Sequence, residues 1–184
     1  TVETSCSVQT VHQQLAKQVM NTEQIGTGKY DSIDCLLDTF HSSVATGDFA
    51  TYFGCFSIGA RFIGTACEEN WTMNEFMEYC QPVAAQGLGW TYVPVENSRF
   101  PFGSDTSPEF VTFDELLTSP SLSAKCRGTG SAVFNKETKT WLVLQYHLSI
   151  PIPNEITDTV CSSIQNHEKT ISAAQNEREL LAEL

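Results

Sequence analysis

Residues 124–150 read AKCRGTGSAVFNKETKTWLVLQYHLSI, two runs rich in Val, Leu, Thr and aromatic residues joined by the polar stretch Asn135 to Thr138. That composition predicts strands at 124–135 and 140–150 paired as a hairpin. In the second run Leu142, Leu144, Tyr146, Leu148 and Ile150 alternate with Val143, Gln145, His147 and Ser149, which gives one greasy and one polar face. Alternation alone leaves open which face lines a pocket. Residues 90–102 and 110–118 have the same texture, so the chain from Gly89 onward predicts four strands in series, an antiparallel meander.

The chain before Gly89 reads as helical. Val8, Val11, Leu15 and Val19 recur at spacings of three and four and stop at Gly26-Thr27-Gly28, the pattern of an appended amphipathic helix. A second helix is expected after Asp31, a possible cap, through Ile33, Leu36, Leu37, Phe40 and Val44 to Gly47. Asp48 caps a third, short helix carrying Phe49, Tyr52, Phe53 and Phe56. Ala60 to Gly64 reads as a strand, followed by a helix from Thr72 to about Val83 that buries Met73, Phe76, Met77 and Tyr79 or Cys80. Beyond Pro151 and Pro153, Ile156, Val160, Ile164, His167, Ile171 and Ala174 predict an acidic C-terminal amphipathic helix. Helices first and strands afterwards give an α+β class with helices against one face of a curved sheet. The expected division is an N-terminal helical extension at 1–30, a central domain at 31–155 and a C-terminal helix at 156–184.

Composition narrows the function classes. Ten Lys and Arg against 22 Asp and Glu give a net charge of −12, which repels phosphate backbones and anionic lipid, so nucleic acid and membrane are not expected partners. The apolar runs are short, Trp141 to Leu144 being an example, against the roughly 20 residues that a spanning helix needs, and a soluble protein is the expectation. Seven cysteines lack CxxC or CxH spacing, and most sit within apolar patterns, which suits a reducing compartment and a cytoplasmic location, or an organelle after loss of a transit segment. The chain shows no P-loop, dinucleotide fingerprint or metal-ligand spacing, so neither cofactor nor metal is expected.

Several motifs carry a resemblance. Asp38-Thr39-Phe40-His41, Gly47-Asp48-Phe49, Tyr52-Phe53, Phe62-Ile63-Gly64-Thr65, Glu69, Trp71-Thr72, Glu75-Phe76, Tyr79 and Pro82 resemble the first half of the SnoaL-like branch of the nuclear transport factor 2-like superfamily. Gly89 to Tyr92, Phe113 to Glu115, Cys126 to Gly130 and Gln145 to Asn154 look like its strand motifs in order, so the match spans about 31–155. The resemblance implies a cone-shaped sheet wrapped around helices, an internal pocket for a small molecule, and homodimers made by pairs of sheets. It implies no single reaction, because the scaffold hosts isomerases, cyclases, dehydratases and non-catalytic proteins.

The expected site follows from both lines. The His147-x-Ser149 pattern is similar to that of the calcium/calmodulin-dependent kinase II association domain, where it faces the cavity. With Thr65 and Tyr79 it also resembles the quartet of metal-free iota-class carbonic anhydrases, which suggests polarisation of water or a small oxyanion. Asp114 and Glu115 point to opposite faces, so one alone can enter the pocket as a base, the alternative being an ion pair with Arg127. Tyr79, His147 and Asp114 are the expected catalytic residues; Thr65, Trp90, Arg127, Ser149 and Glu115 are the expected ligand contacts. His41, alone on a helix, receives no role. Three readings remain open: a pocket protein that binds a small organic molecule or small oxyanion without metal, with or without isomerase-, cyclase- or lyase-like acid–base chemistry; a non-catalytic homo-oligomerising association module built on the terminal helices; and metal-free carbonic anhydrase-like activity.

Overall fold

A computed structural model describes residue 23, residues 25–104 and residues 107–182. The expected helix over residues 8–19 lies outside these. The chain divides into two units, Thr1–Ile150 and Pro151–Leu184.

In the first unit, helix α1 (Ile33–Ala45) starts on Ser32, whose hydroxyl accepts from the Cys35 amide. Ser32, one residue after the expected Asp31, therefore supplies the cap. Its buried stripe is Ile33, Leu36, Leu37, Phe40 and Val44, as the spacing predicts, and His41 shares that stripe four residues after Leu37. Gly47 takes φ +73° at the turn that ends the helix, a conformation that L side chains rarely adopt. Asp48 caps α2 (Phe49–Gly54) through Thr51. Helix α3 (Met73–Ala84) opens with a capping box between Thr72 and Glu75. It buries Met73, Phe76, Met77 and Cys80, while Tyr79 remains 49% exposed on its flank.

The strands are β1 (Phe56–Ile63), β2 (Asn70–Thr72), β3 (Val93–Pro94), β4 (Phe100–Ser104), β5 (Ser107–Thr118), β6 (Cys126–Asn135) and β7 (Thr140–Ser149). They form one open sheet in the order β2-β1-β7-β6-β5-β3, with β4 also on β5. The meander β5-β6-β7 is antiparallel and its hairpin closes Asn135 on Thr140. Phe56, expected on the short helix, opens β1 instead, and three features of the sheet differ from the sequence expectation. The run 90–102 is split into β3 and β4, because Pro94 and Pro101 lack an amide proton and Asn97 turns the chain at φ 56°. The sheet is not wholly antiparallel: β1 and β7 lie parallel, since the helix-rich first half returns β1 to the free edge of the meander. Third, β7 carries a bulge, its register passing from Ala132↔Val143 to Ser131↔Gln145. The extra residue reverses the alternation, so Val143, not Leu142, shares a face with Tyr146 and Leu148.

The core lies between the inner sheet face and the three helices. Phe40 of α1 packs 4.7 Å from both Tyr52 and Tyr146, and Phe76 of α3 lies 4.0 Å from Phe62 at 12°. Phe53, Phe56, Leu36 and Leu37 are wholly buried; each such side chain contributes about 1.5–3 kcal/mol relative to exposure.

The second unit is a short 3-10 turn (Asn154–Ile156) leading into α4 (Thr157–Ala182). Ile156, Ile164 and Ile171 remain roughly half exposed along it. Among the described residues no helix is long and apolar enough to cross a membrane.

Candidate functional site

The inner sheet face, α1, α3 and the loops after β1 and α3 line a half-open cavity of about 290 Å³. Its walls are aromatic, with Phe62, Trp71, Phe76, Tyr79, Trp90 and Tyr92 prominent, and Tyr146, Leu148 and Ile150 bring β7 into it. Tyr79 stacks on Trp71 at 4.4 Å and stands nearly parallel to Trp90 at 6.2 Å. Glu69 joins the wall from the loop after β1, its carboxylate accepting the Ala66 amide. Among the described residues no Lys or Arg lines the cavity.

A buried polar network reaches the same cavity through His41 and Tyr146. At its centre Glu115, with no exposure to solvent, accepts from His41 Nε2 at 2.6 Å, Tyr146 Oη at 3.1 Å and Arg99 Nε at 3.0 Å. Arg99 continues outward to Asp38 at 2.9 Å and Asp34 at 3.1 Å on α1. Burial works to raise the Glu115 carboxyl, but the contacts with His41 and the Arg99 guanidinium outweigh it and hold the group below its ordinary value. Burial, reinforced by the Glu115 charge, pushes the Tyr146 hydroxyl well up, so it remains a proton donor. An ionised carboxylate only accepts, so His41 carries a proton on Nε2. Its Nδ1 is buried with no partner among the described residues.

The network depends on a gap in β6. A Cβ on Gly128 would overlap Tyr146 Oη and stand 2.8 Å from Cζ and 3.2 Å from Glu115 Cγ. Only a residue without a side chain lets the tyrosine reach the carboxylate.

The expected site residues divide between the two sheet faces. Thr65, Tyr79 and Trp90 line the cavity, and Glu115 stands behind its wall. His147 lies between the cavity-lining Tyr146 and Leu148, and Ser149 between Leu148 and Ile150, so both belong to the other face, where the register sets His147 beside Thr129 and Ser149 beside Arg127. Asp114 also belongs there, 3.0 Å from Arg127 in a pair whose side chains are 24% and 43% exposed. The structure thus gathers Thr65, Tyr79 and Trp90 and leaves Asp114, Arg127, His147 and Ser149 apart from them. Sequence reasoning passed over His41, Arg99 and Glu69 as chemistry. A signal for His41 existed in its position on the buried stripe of α1, where a titratable side chain requires a partner. Among the described residues no group of three or more His, Cys, Asp and Glu side chains could hold a metal ion.

Solved structures share this fold at low identity. A domain of unknown function with a cystatin-like fold from Nostoc punctiforme is 12% identical over 79% of this chain and 94% of its own, with a TM-score of 0.55. A nuclear transport factor 2-like protein of unknown function from Pseudomonas putida is 11% identical over 67% and 87%, with a TM-score of 0.51. A candidate ketosteroid isomerase from Parabacteroides distasonis is 14% identical over 66% and 90%, with a TM-score of 0.50. No match is found among curated proteins. The model of the SnoaL-like domain family matches residues 33–153, which contain α1 to α3, the sheet and every cavity-lining residue, and the chain belongs to that family.

Proposed function

We propose that this protein binds a small organic molecule in its aromatic cavity and transfers a proton there with His41. The observation that carries the reading is His41 itself, on the cavity wall, with Nε2 held by the buried Glu115 carboxylate and Nδ1 left unpartnered. A carboxylate on one ring nitrogen orients the imidazole and fixes its tautomer, which leaves the lone pair of the other nitrogen to accept a proton. Aromatic walls exclude water and suit a ligand with an apolar body. Proton abstraction next to a carbonyl fits such a base, and a solved structure of the same fold carries the description of a candidate ketosteroid isomerase.

Two measurements test this. Native mass spectrometry of the purified protein is expected to show a retained small-molecule adduct that a cavity-filling Thr65→Trp variant loses. Proton NMR is then expected to show deuterium exchange at the carbon beside the carbonyl of cyclic ketones, catalysed by the wild type and reduced at least about a hundredfold in His41→Gln. Exchange that persists in His41→Gln overturns the assignment of the base; an empty cavity with no exchange removes the enzyme reading and favours the association module.

We further infer a homodimer through the outer sheet face, where Phe100, Phe102 and Phe110 are 51%, 59% and 41% exposed. Light scattering that finds a monomer, or a dimer unaffected by Phe102→Glu, refutes this.

A further inference from the structure

We propose that the cavity selects an organic cation, a ligand whose apolar body carries a quaternary or protonated amine. The inference rests on the pocket reading above and adds the sign of the ligand's charge.

Three observations converge. First, the formal negative charges at the cavity are carboxylates: Glu69 lies in the wall, and Glu115 lies directly behind His41 and Tyr146. The cation of the network, Arg99, is already shared among Glu115, Asp34 and Asp38 and is not a lining residue. An anionic ligand would therefore meet the Glu69 carboxylate with no Lys or Arg among the described lining residues to offset it. Second, the wall is built from aromatic rings more than from aliphatic groups, and the Trp71, Tyr79 and Trp90 rings cluster beside Glu69. Aromatic walls suit an apolar body of any charge, and the negative π faces of Trp and Tyr add a further attraction when that body is a cation. Third, the Glu69 charge acts on those same rings. Burial chiefly raises the hydroxyls of Tyr79 and Tyr92, and the Glu69 carboxylate raises both further, so a negative field acts where the ligand sits. The net charge of −12 adds long-range attraction for a cation.

A matched set of probes tests the sign of charge at constant shape: choline, the neutral alcohol in which a tert-butyl group replaces the trimethylammonium, and tert-butylacetic acid as its anion. Binding is read from the fluorescence of Trp71 and Trp90, both in the wall, and from calorimetry. Choline is expected to bind about tenfold more tightly than the alcohol, and the anion most weakly. Glu69→Gln, which keeps an acceptor for the Ala66 amide, is expected to remove several-fold of choline's advantage and leave the alcohol unchanged. Tyr79→Leu, at a half-exposed position that tolerates substitution, should likewise lower the affinity for choline more than for the alcohol. Equal or tighter binding of the alcohol or the anion overturns the cation inference while the pocket reading stands. If none of the three binds, and neither do the larger benzyltrimethylammonium and neopentylbenzene, both readings fall together.

Discussion

Replacing Gly128 by Ala tests the geometry on which the site depends. The added methyl group would overlap the Tyr146 hydroxyl, lie 2.8 Å from its Cζ and 3.2 Å from Glu115 Cγ, and none of these atoms sits at the free end of a flexible chain. The tyrosine is 2% exposed and packs on Phe40 at 4.7 Å, while Glu115 is held by three donors. Two contributions add. Forcing a methyl group into a packed core costs about 1–3 kcal/mol. Loss of the hydrogen bond from Tyr146 to a charged acceptor adds about 1.5–3 kcal/mol. The expected destabilisation is about 2.5–6 kcal/mol, a large share of the roughly 5–15 kcal/mol of a typical domain. Urea denaturation of wild type, Gly128→Ala, Tyr146→Phe and the double variant forms a cycle in which removal of the hydroxyl relieves the tightest overlap and leaves the close approach to Cζ. The double variant should therefore recover at least about 1 kcal/mol relative to additivity. Gly103→Ala, whose Cβ would meet Val111 at an ordinary 3.7 Å, is the control. A Gly128→Ala variant within about 0.5 kcal/mol of wild type, or strict additivity in the cycle, would refute the reasoning.

The Glu115 carboxyl is held below its unfolded value, so its stabilising contribution is complete above the unfolded pKa, about pH 4.5, and is lost as pH falls through the folded value. The stability difference between wild type and Glu115→Gln should be constant at neutral pH and shrink below about pH 4.5 in acid titrations; a difference independent of pH would remove the charge argument. Because Arg127 and His147 sit on the face away from the cavity, Arg127→Ala and His147→Ala should leave choline binding unchanged, and the partly exposed Arg127–Asp114 pair should contribute no more than about 1 kcal/mol. A tenfold loss of binding in either variant would move the site to the other face. Burial pushes the Cys55 thiol up to about 12 and raises Cys80 and Cys126, whereas Cys35, Cys67 and Cys161 are exposed. Of the six cysteines among the described residues, iodoacetamide at mild alkaline pH should label the exposed three and spare the buried three in peptide mapping, and early labelling of Cys55 would contradict its placement.

Local pattern made much of the architecture legible. The stripe Ile33 to Val44, the caps at Asp48 and Thr72 and the hairpin at Asn135 to Thr140 are near-neighbour effects, decided by helical or strand periodicity and by side chains three residues apart. The ordered motifs carried the family for the same reason. The bulge in β7 was not legible, because two residues opposing one is a property of the pair of strands and leaves no mark on either alone. The parallel partnership of β1 with β7 joins segments some eighty residues apart, beyond the range of periodicity.

The candidate site divides along the same line. Residue order specifies an α+β core, a strongly negative charge, and that Asp114 and Glu115 face opposite ways so that one alone can turn inward. Packing selects Glu115. It brings Glu115 of β5 to His41 of α1 and Tyr146 of β7, with separations of 74 and 31 residues, and sets His147 on the opposite face. The physical reason is that composition and periodicity act through neighbours along the chain, whereas a buried carboxylate finds its partners through packing and register, which exist only once the helices have closed on the sheet.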